Sequence, residues 1–250
     1  LPDHPLIAGF HLEGPFLSLQ YPGAQPPDRI EPIPSPDSNW EQVLSDPRLK
    51  LITLAPEIPG ALELILKLRS QGVIVSMGHT SATYEEAKRG YEFGASHATH
   101  MFNAMRGFHH REAGMVGFAL TEPDLTTEII YDRIHVCPES TRLLLNCKPA
   151  DRVIAVSDCT MAAGLAPGTR LTMWGHECIS GGREVRLLDG TLAGSAQTLL
   201  DIFRNLYQDF GPETAVRLCS LNPRERLGLD KVTTYLEFGL DLSLRRRIPC

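Results

Sequence analysis

Apolar runs and helix-period stretches alternate along most of this chain. Six short runs rich in aliphatic and β-branched residues read as buried strands: Leu6–Phe10, Leu49–Leu54, Val73–Ser76, Ser96–Thr99, Thr126–Tyr131 and Arg152–Ser157. Runs of that length, apolar on both faces, suit a parallel sheet covered on both sides. Helical patterns separate most of them. A short helix capped by Asp37 or Ser38 runs to Leu44, and longer ones cover Pro59–Gln71, Ser81–Phe93 (Ser81 as N-cap) and Pro138–Cys147. The second has Pro at its start and Gly72 at its stop, the expected asymmetry of a helix. From Phe16 to Pro36 the chain is rich in proline and glycine and reads as an ordered loop over a site or a solvated connection.

After Gly164 the period changes. Arg170 to Leu192 alternates, carries Gly181-Gly182 and Asp189-Gly190, and predicts a small β-hairpin excursion. Helices return over Ser195–Phe210, Pro212–Cys219 and Asn222–Leu227, and the last twenty residues show no clear pattern. The βα alternation predicts an α/β fold of the (β/α)8 TIM type, which needs eight strands. Only six are found, and the first begins almost at once with no initiator methionine before it. The barrel is therefore expected to be incomplete, with two βα units upstream and the six runs as strands three to eight. Residues 1–228 form the partial barrel and 229–250 a poorly patterned tail.

Under that numbering a polar residue stands at the carboxyl end of most strands: Glu13, His79, His100, His135 and Asp158. Barrel enzymes keep their chemistry on that face. Glu13, His79 and His100 make a nitrogen and oxygen donor set that a divalent metal accepts with room left for water. Asp158 is then placed to take a proton from that water and return it to a leaving amine. A lone strand-end histidine is more often capped or solvated; two in register, one βα unit apart, argue for the metal. His97 should face away from His100 as a satisfied core residue. His11 shares the Glu13 face and either supports the carboxylate or simply packs. His109 and His110 read as solvated loop residues, Cys159 as a small buried apolar group, and Met101, Met105 and Met115 as pocket lining or core. No nucleophile elbow, P-loop or HExxH helix is present.

Bulk properties narrow the partners. The chain has 250 residues, 42% hydrophobic and 22% charged, so it can bury a sizeable core. A formal charge of −6 argues against a general nucleic-acid binder. No apolar run reaches the roughly 18 residues of a membrane span, and no signal-peptide pattern is seen. Six cysteines are scattered without a CxxC pair, which fits reduced, mostly buried thiols in a cytoplasmic protein.

Seven blocks carry a resemblance: G-F-H-L-E-G-P-F-L-S (Gly9 to Ser18), G-H-T (Gly78 to Thr80), T-H-M-F-N-A-M (Thr99 to Met105), H-R-E-A-G (His110 to Gly114), V-S-D (Val156 to Asp158), A-A-G-L (Ala162 to Leu165) and T-L-A-G-S (Thr191 to Ser195). Their order and spacing over residues 6 to 228 resemble the amidohydrolase superfamily and, within it, the N-acetylglucosamine-6-phosphate deacetylase family. The resemblance implies metal-dependent hydrolysis of the acetamide of an amino-sugar phosphate, giving glucosamine 6-phosphate and acetate. It implies Glu13, His79 and His100 as ligands of one divalent ion, zinc first, with iron, manganese or cobalt as alternatives. Asp158 would be the general acid and base. Ala24, Gln25, Asn103, Ala104, Arg111, His135, Leu192, Ala193 and Gly194 would bind substrate, with Arg111 on the phosphate and His135 polarising the acetyl carbonyl. A homodimer is implied when the protein is complete.

Two positions depart from the family pattern. Gly23-Ala24-Gln25 replaces Gly-Ala-His and so removes a phosphate contact. Asp132-Arg133-Ile134-His135 replaces Asp-Gly-x-His, where the arginine either adds a phosphate contact or crowds the pocket. They keep two further readings open: a related amidohydrolase acting on another N-acyl amino sugar or cyclic amide, and an inactive truncated remnant.

Overall fold

The computed structural model describes residues 7–35, 37–229, 232 and 234–249. Its spine is a parallel sheet of β1 (Phe10–Glu13), β2 (Leu49–Leu54), β3 (Ile74–Met77), β4 (His97–Ala98), β5 (Thr126–Ile129) and β6 (Val153–Ala155). The strands lie in sequence order, each bonded to the next, and the sheet curls as a partial (β/α)8 barrel. Among the described residues β1 and β6 each pair on one side only.

Register decides which side chains look into the curl. Glu13, Thr53, Ser76 and His97 are neighbours in one cross-strand row, so their side chains leave the sheet on the same side. That inner layer is polar and self-satisfied: the Thr99 hydroxyl lies 2.6 Å from those of Thr53 and Ser76, and the Thr53 hydroxyl meets His11 Nε2 at 2.7 Å. The outer side is apolar and covered by α2 (Ala61–Ser70), α3 (Tyr84–Phe93), α4 (Gly114–Thr121) and α5 (Pro138–Cys147) after the short α1 (Trp40–Leu44). Helix α2 buries Ala61, Leu64, Ile65 and Leu68, the i, i+3, i+4, i+7 stripe, against Ile52, Leu54 and Val75. Truncating the fully buried Leu68 to Ala should cost about 2–5 kcal/mol.

Several boundaries move from their predicted places. The first strand is Phe10–Glu13 rather than Leu6–Phe10, because its first ladder partner is Leu49; Leu6 lies outside the described residues. The cap of α3 is Thr83 rather than Ser81: Thr83 and Glu86 form a reciprocal capping box, while the Ser81 amide and hydroxyl bond Glu57. Helix α4 escapes the periodic pattern since GMVGFALT is apolar nearly all round, as befits a helix with six of eight residues buried. The excursion is larger than one hairpin. Strands β7 (Arg170–Met173), β8 (His176–Ser180), β9 (Glu184–Leu187) and β10 (Leu192–Ser195) form an antiparallel sheet with its own small core of Met173, Cys178, Val185 and Ala193. Ser195 therefore ends a strand, and α6 starts later, at Leu199–Phe210, capped by Thr198. Next come α7 (Pro212–Val216), a wide turn of helix over Arg217–Leu221, and α8 (Asn222–Arg226). The unpatterned tail forms a hairpin of β11 (Thr234–Phe238) and β12 (Leu244–Pro249). Of the five described cysteines Cys137, Cys147 and Cys159 are exposed, so the expectation of mostly buried thiols fails.

Candidate metal centre and its cavity

Immediately after their strands His79, His100 and Asp158 adopt left-handed backbone, with φ of 47°, 30° and 47°. Such values cost non-glycine residues strain and gather at functional sites. Here the bend swings each side chain from the end of its strand across the mouth of the curl. Gly78 makes the first bend possible: a β-carbon there would come within 2.8 Å of Thr99 Cβ and 2.9 Å of Thr53 Cγ2.

Glu13 meets both imidazoles. Its Oε1 lies 2.8 Å from His100 Nε2 and 3.1 Å from His79 Nε2, and the two ring nitrogens are 3.1 Å apart. Both imidazoles are buried and Glu13 is half-buried. His79 Nδ1 is 3.2 Å from the Tyr21 carbonyl, to which it can only donate, which turns Nε2 into the cluster. Burial works against the Glu13 charge, yet the hydrogen bonds and charges of His100 and His79 outweigh it and hold the carboxyl well below its usual range. Burial likewise opposes a charged His100, but Glu13 overrides it and pushes that imidazole up to about 9. His100 Nδ1 has no hydrogen-bond partner. Three donor atoms so close together crowd electron pairs unless a proton or a cation sits among them. A single ion about 2.0–2.2 Å from each donor spans these separations, so the residues present fit a divalent metal.

A cavity of about 350 Å³ opens over the cluster, lined by Glu13, His79, His100, His135, Asp158 and Trp174 among others. Asp158 faces this space, and desolvation in the cleft, then the Glu13 charge, push its carboxyl up to about 6. His135 is held from behind. Its Nδ1 lies 2.6 Å from Asp132 Oδ2, and Asp132 Oδ1 accepts from the amides of Ile134 and His135 at 2.9 and 2.7 Å. Asp132 is fully buried; burial raises its carboxyl, but those bonds outweigh it and hold it below its usual value.

Of the predicted substrate residues, Ala24, Gln25, Asn103, Ala104, His135, Leu192, Ala193 and Gly194 all line this cavity. Arg111 does not: it is exposed on the 106–112 loop, with Nη1 2.8 Å from His110 Nε2. Gln25 Nε2 points inward, 3.5 Å from Glu13 Oε2. Asn103 donates to the carbonyls of His100 and Met101, bracing the loop after β4. His11 bonds Thr53 rather than Glu13, and His97 is buried against Glu128 at 3.0 Å as a satisfied core residue should be. Cys159, expected inside the core, instead lines the cavity. The sequence reading missed Ile130, Thr160, Trp174 and Thr191 as lining residues. Turn signals stood at Trp174-Gly175 and, before Thr191, at Asp189-Gly190, but nothing in the pattern aimed either at the site.

A partial (β/α) barrel with a carboxylate and two imidazoles converging at its strand ends defines a barrel protein whose cavity carries a donor set that fits a divalent ion. More particularly, the chain belongs to the Amidohydrolase family, whose sequence pattern matches residues 2–240. It is 36% identical over 240 residues to an N-acetylgalactosamine-6-phosphate deacetylase of Escherichia coli O157:H7, covering 95% of this chain and 63% of that protein. It is 40% identical over 241 residues to an N-acetylglucosamine-6-phosphate deacetylase of Bacillus subtilis, covering 95% and 60%. The crystal structure of N-acetylglucosamine-6-phosphate deacetylase from Pasteurella multocida superposes with a TM-score of 0.90 at 31% identity, covering 99% of this chain and 67% of that one. The chain thus spans about three-fifths of the length of the curated relatives it matches.

Proposed function

We propose that the protein to which this chain belongs hydrolyses the acetamide of an N-acetylated amino-sugar phosphate, N-acetylglucosamine 6-phosphate first. The observation that carries the reading is the meeting of Glu13, His79 and His100 at one point, with Asp158 on the same cavity. One divalent ion held by those three residues, zinc by preference, would acidify water and polarise the acetyl carbonyl. Asp158 takes the proton from the attacking water and hands it to the amide nitrogen, a poor leaving group until protonated. Asp132 holds the Nδ1 side of His135 and turns Nε2 to the cavity, from which the protonated ring can donate to the substrate carbonyl. Residues 1–228 form the catalytic unit in this reading; a homodimer and a cytoplasmic location go with it. Among the described residues no helix is long and apolar enough to cross a membrane.

A second reading concerns the phosphate. Among the described residues no Lys or Arg lines the cavity, and Gln25 faces Glu13. Those facts favour an N-acetyl amino sugar recognised without its phosphate by this chain's own cavity. Release of free amine from N-acetylglucosamine 6-phosphate, its galactosamine epimer and both unphosphorylated sugars, with and without zinc, tests the two together. Zinc-dependent release from the phosphorylated sugars supports the first reading, equal rates with and without phosphate the second, and no release from any of them sinks both.

A further inference from the structure

At the tip of the β7–β8 hairpin Met173 pairs with His176, so Trp174-Gly175 forms a two-residue turn. Both turn residues have positive φ, 51° and 88°. That pair of values belongs to the type I′ turn, which selects Asn-Gly or Gly-Gly because a bulky side chain is strained at the first position. Tryptophan is therefore the wrong residue for the turn by local chemistry.

Packing does not explain it either. The residue is 53% exposed, and among the described residues its ring stacks on no other and its indole N–H donates to no protein group. What the indole does have is a place on the wall of the cavity that holds Glu13, His79, His100, His135 and Asp158. The other described residues on that wall are polar groups, glycines and aliphatics, and no second aromatic carbocycle is among them. A strained, exposed indole on the wall of a cavity that mixes ionisable groups with apolar surface fits a ligand with one apolar face. The C–H face of a pyranose ring is such a face, since its weakly positive hydrogens match the negative π surface of an aromatic ring.

We propose that Trp174 is the stacking platform for the pyranose ring of the amino sugar, setting its depth above the metal centre. This rests on the amino-sugar reading above. Because stacking is charge-independent, its contribution should be the same with and without a phosphate on the ligand. It acts on binding and leaves the proton transfers at Asp158 untouched.

The chain has two tryptophans, so Trp40→Phe leaves Trp174 as the sole indole reporter. Zinc-loaded Trp40→Phe protein is titrated with glucosamine and with glucosamine 6-phosphate, following indole emission alongside calorimetry. Emission should change with the same midpoint as the heat. Trp174→Ala should weaken both ligands by the same factor, about three- to tenfold, while Trp174→Phe stays within about twofold of the parent. Binding heat with silent emission overturns the platform alone, as does equal weakening by Ala and Phe. A change in sedimentation on Trp174→Ala without a change in Kd assigns the indole to a contact between copies and overturns it too. No heat with either sugar overturns the amino-sugar reading itself, and the platform with it.

Discussion

Arg133 turns away from the cavity and donates from Nε to Asp209 Oδ2 at 2.7 Å. The same guanidinium reaches Gln208 Oε1 at 3.0 Å, and the Tyr131 hydroxyl donates to the same Asp209 oxygen at 2.6 Å. Position 133 therefore lies outside the cavity lining and ties the loop after β5 to the last turns of α6. Its φ of 65° explains why glycine suits the place and arginine needs compensation.

Arg133→Ala keeps the strain and loses the tie, so it should destabilise the chain by about 1–2 kcal/mol. Arg133→Gly loses the tie but also the strain and should fall within about 1 kcal/mol of the parent. Urea melts of the two variants check the difference. If Arg133→Ala were the more stable of the two, the backbone strain would not be real.

Asp158→Asn preserves shape while removing the proton carrier. Turnover on the acetylated sugar phosphate should fall by roughly 10²–10⁴, with zinc and product affinity nearly unchanged by calorimetry. Near-normal turnover would move the proton transfer to another group, and His135 would be the first to examine.

Metal removal should show in stability as well as activity. After dialysis against chelator, adding zinc at about 100 times its Kd should restore roughly 2.7 kcal/mol of stability, read as a rise in Tm. His100→Ala and Glu13→Gln should show little or none of that rise. A full rise in either variant would place the ion elsewhere.

Lys148 gives a pH effect far from the metal. It is 5% exposed, its ammonium donates to the Glu122 carbonyl, and burial pulls it down from 10.5 to about 8. Above pH 10.5 it is neutral in both states and costs nothing. As pH falls to about 8 the unfolded chain gains a proton that the folded chain resists, so stability drops and then levels off. Lys148→Met should thus be more stable than the parent at pH 7 by about 1–3 kcal/mol, with the gain shrinking toward pH 10.5. Urea melts at pH 7 and pH 10 measure it; a pH-independent gain would point to packing instead.

Much of the site was legible because it hangs on period and position. Strand ends are set by apolar runs, so the sequence alone puts Glu13, His79, His100 and Asp158 at neighbouring strand ends, and in the structure they share one cavity. What escaped were features without a period. Helix α4 is apolar on every side, and the backbone bends at His79, His100 and Asp158 leave no mark on composition. The direction of Arg133 depends on Asp209, 76 residues away. The excursion hid its first turn, at Trp174-Gly175, because short antiparallel strands alternate through their turns alike. The cap of α3 was misplaced for another reason: Ser81 has the right chemistry, but Glu57 from a distant loop claims its amide.

The backbone bends at His79 and His100 have a consequence for exchange. Each imidazole hangs from left-handed backbone, at φ of 47° and 30°, beside a buried strand end. A donor held in that way is fixed by its surroundings before an ion arrives, so little ordering of the chain is left to oppose binding. Loss of the ion should then leave the backbone where it is, and refilling the centre needs no refolding of the loops.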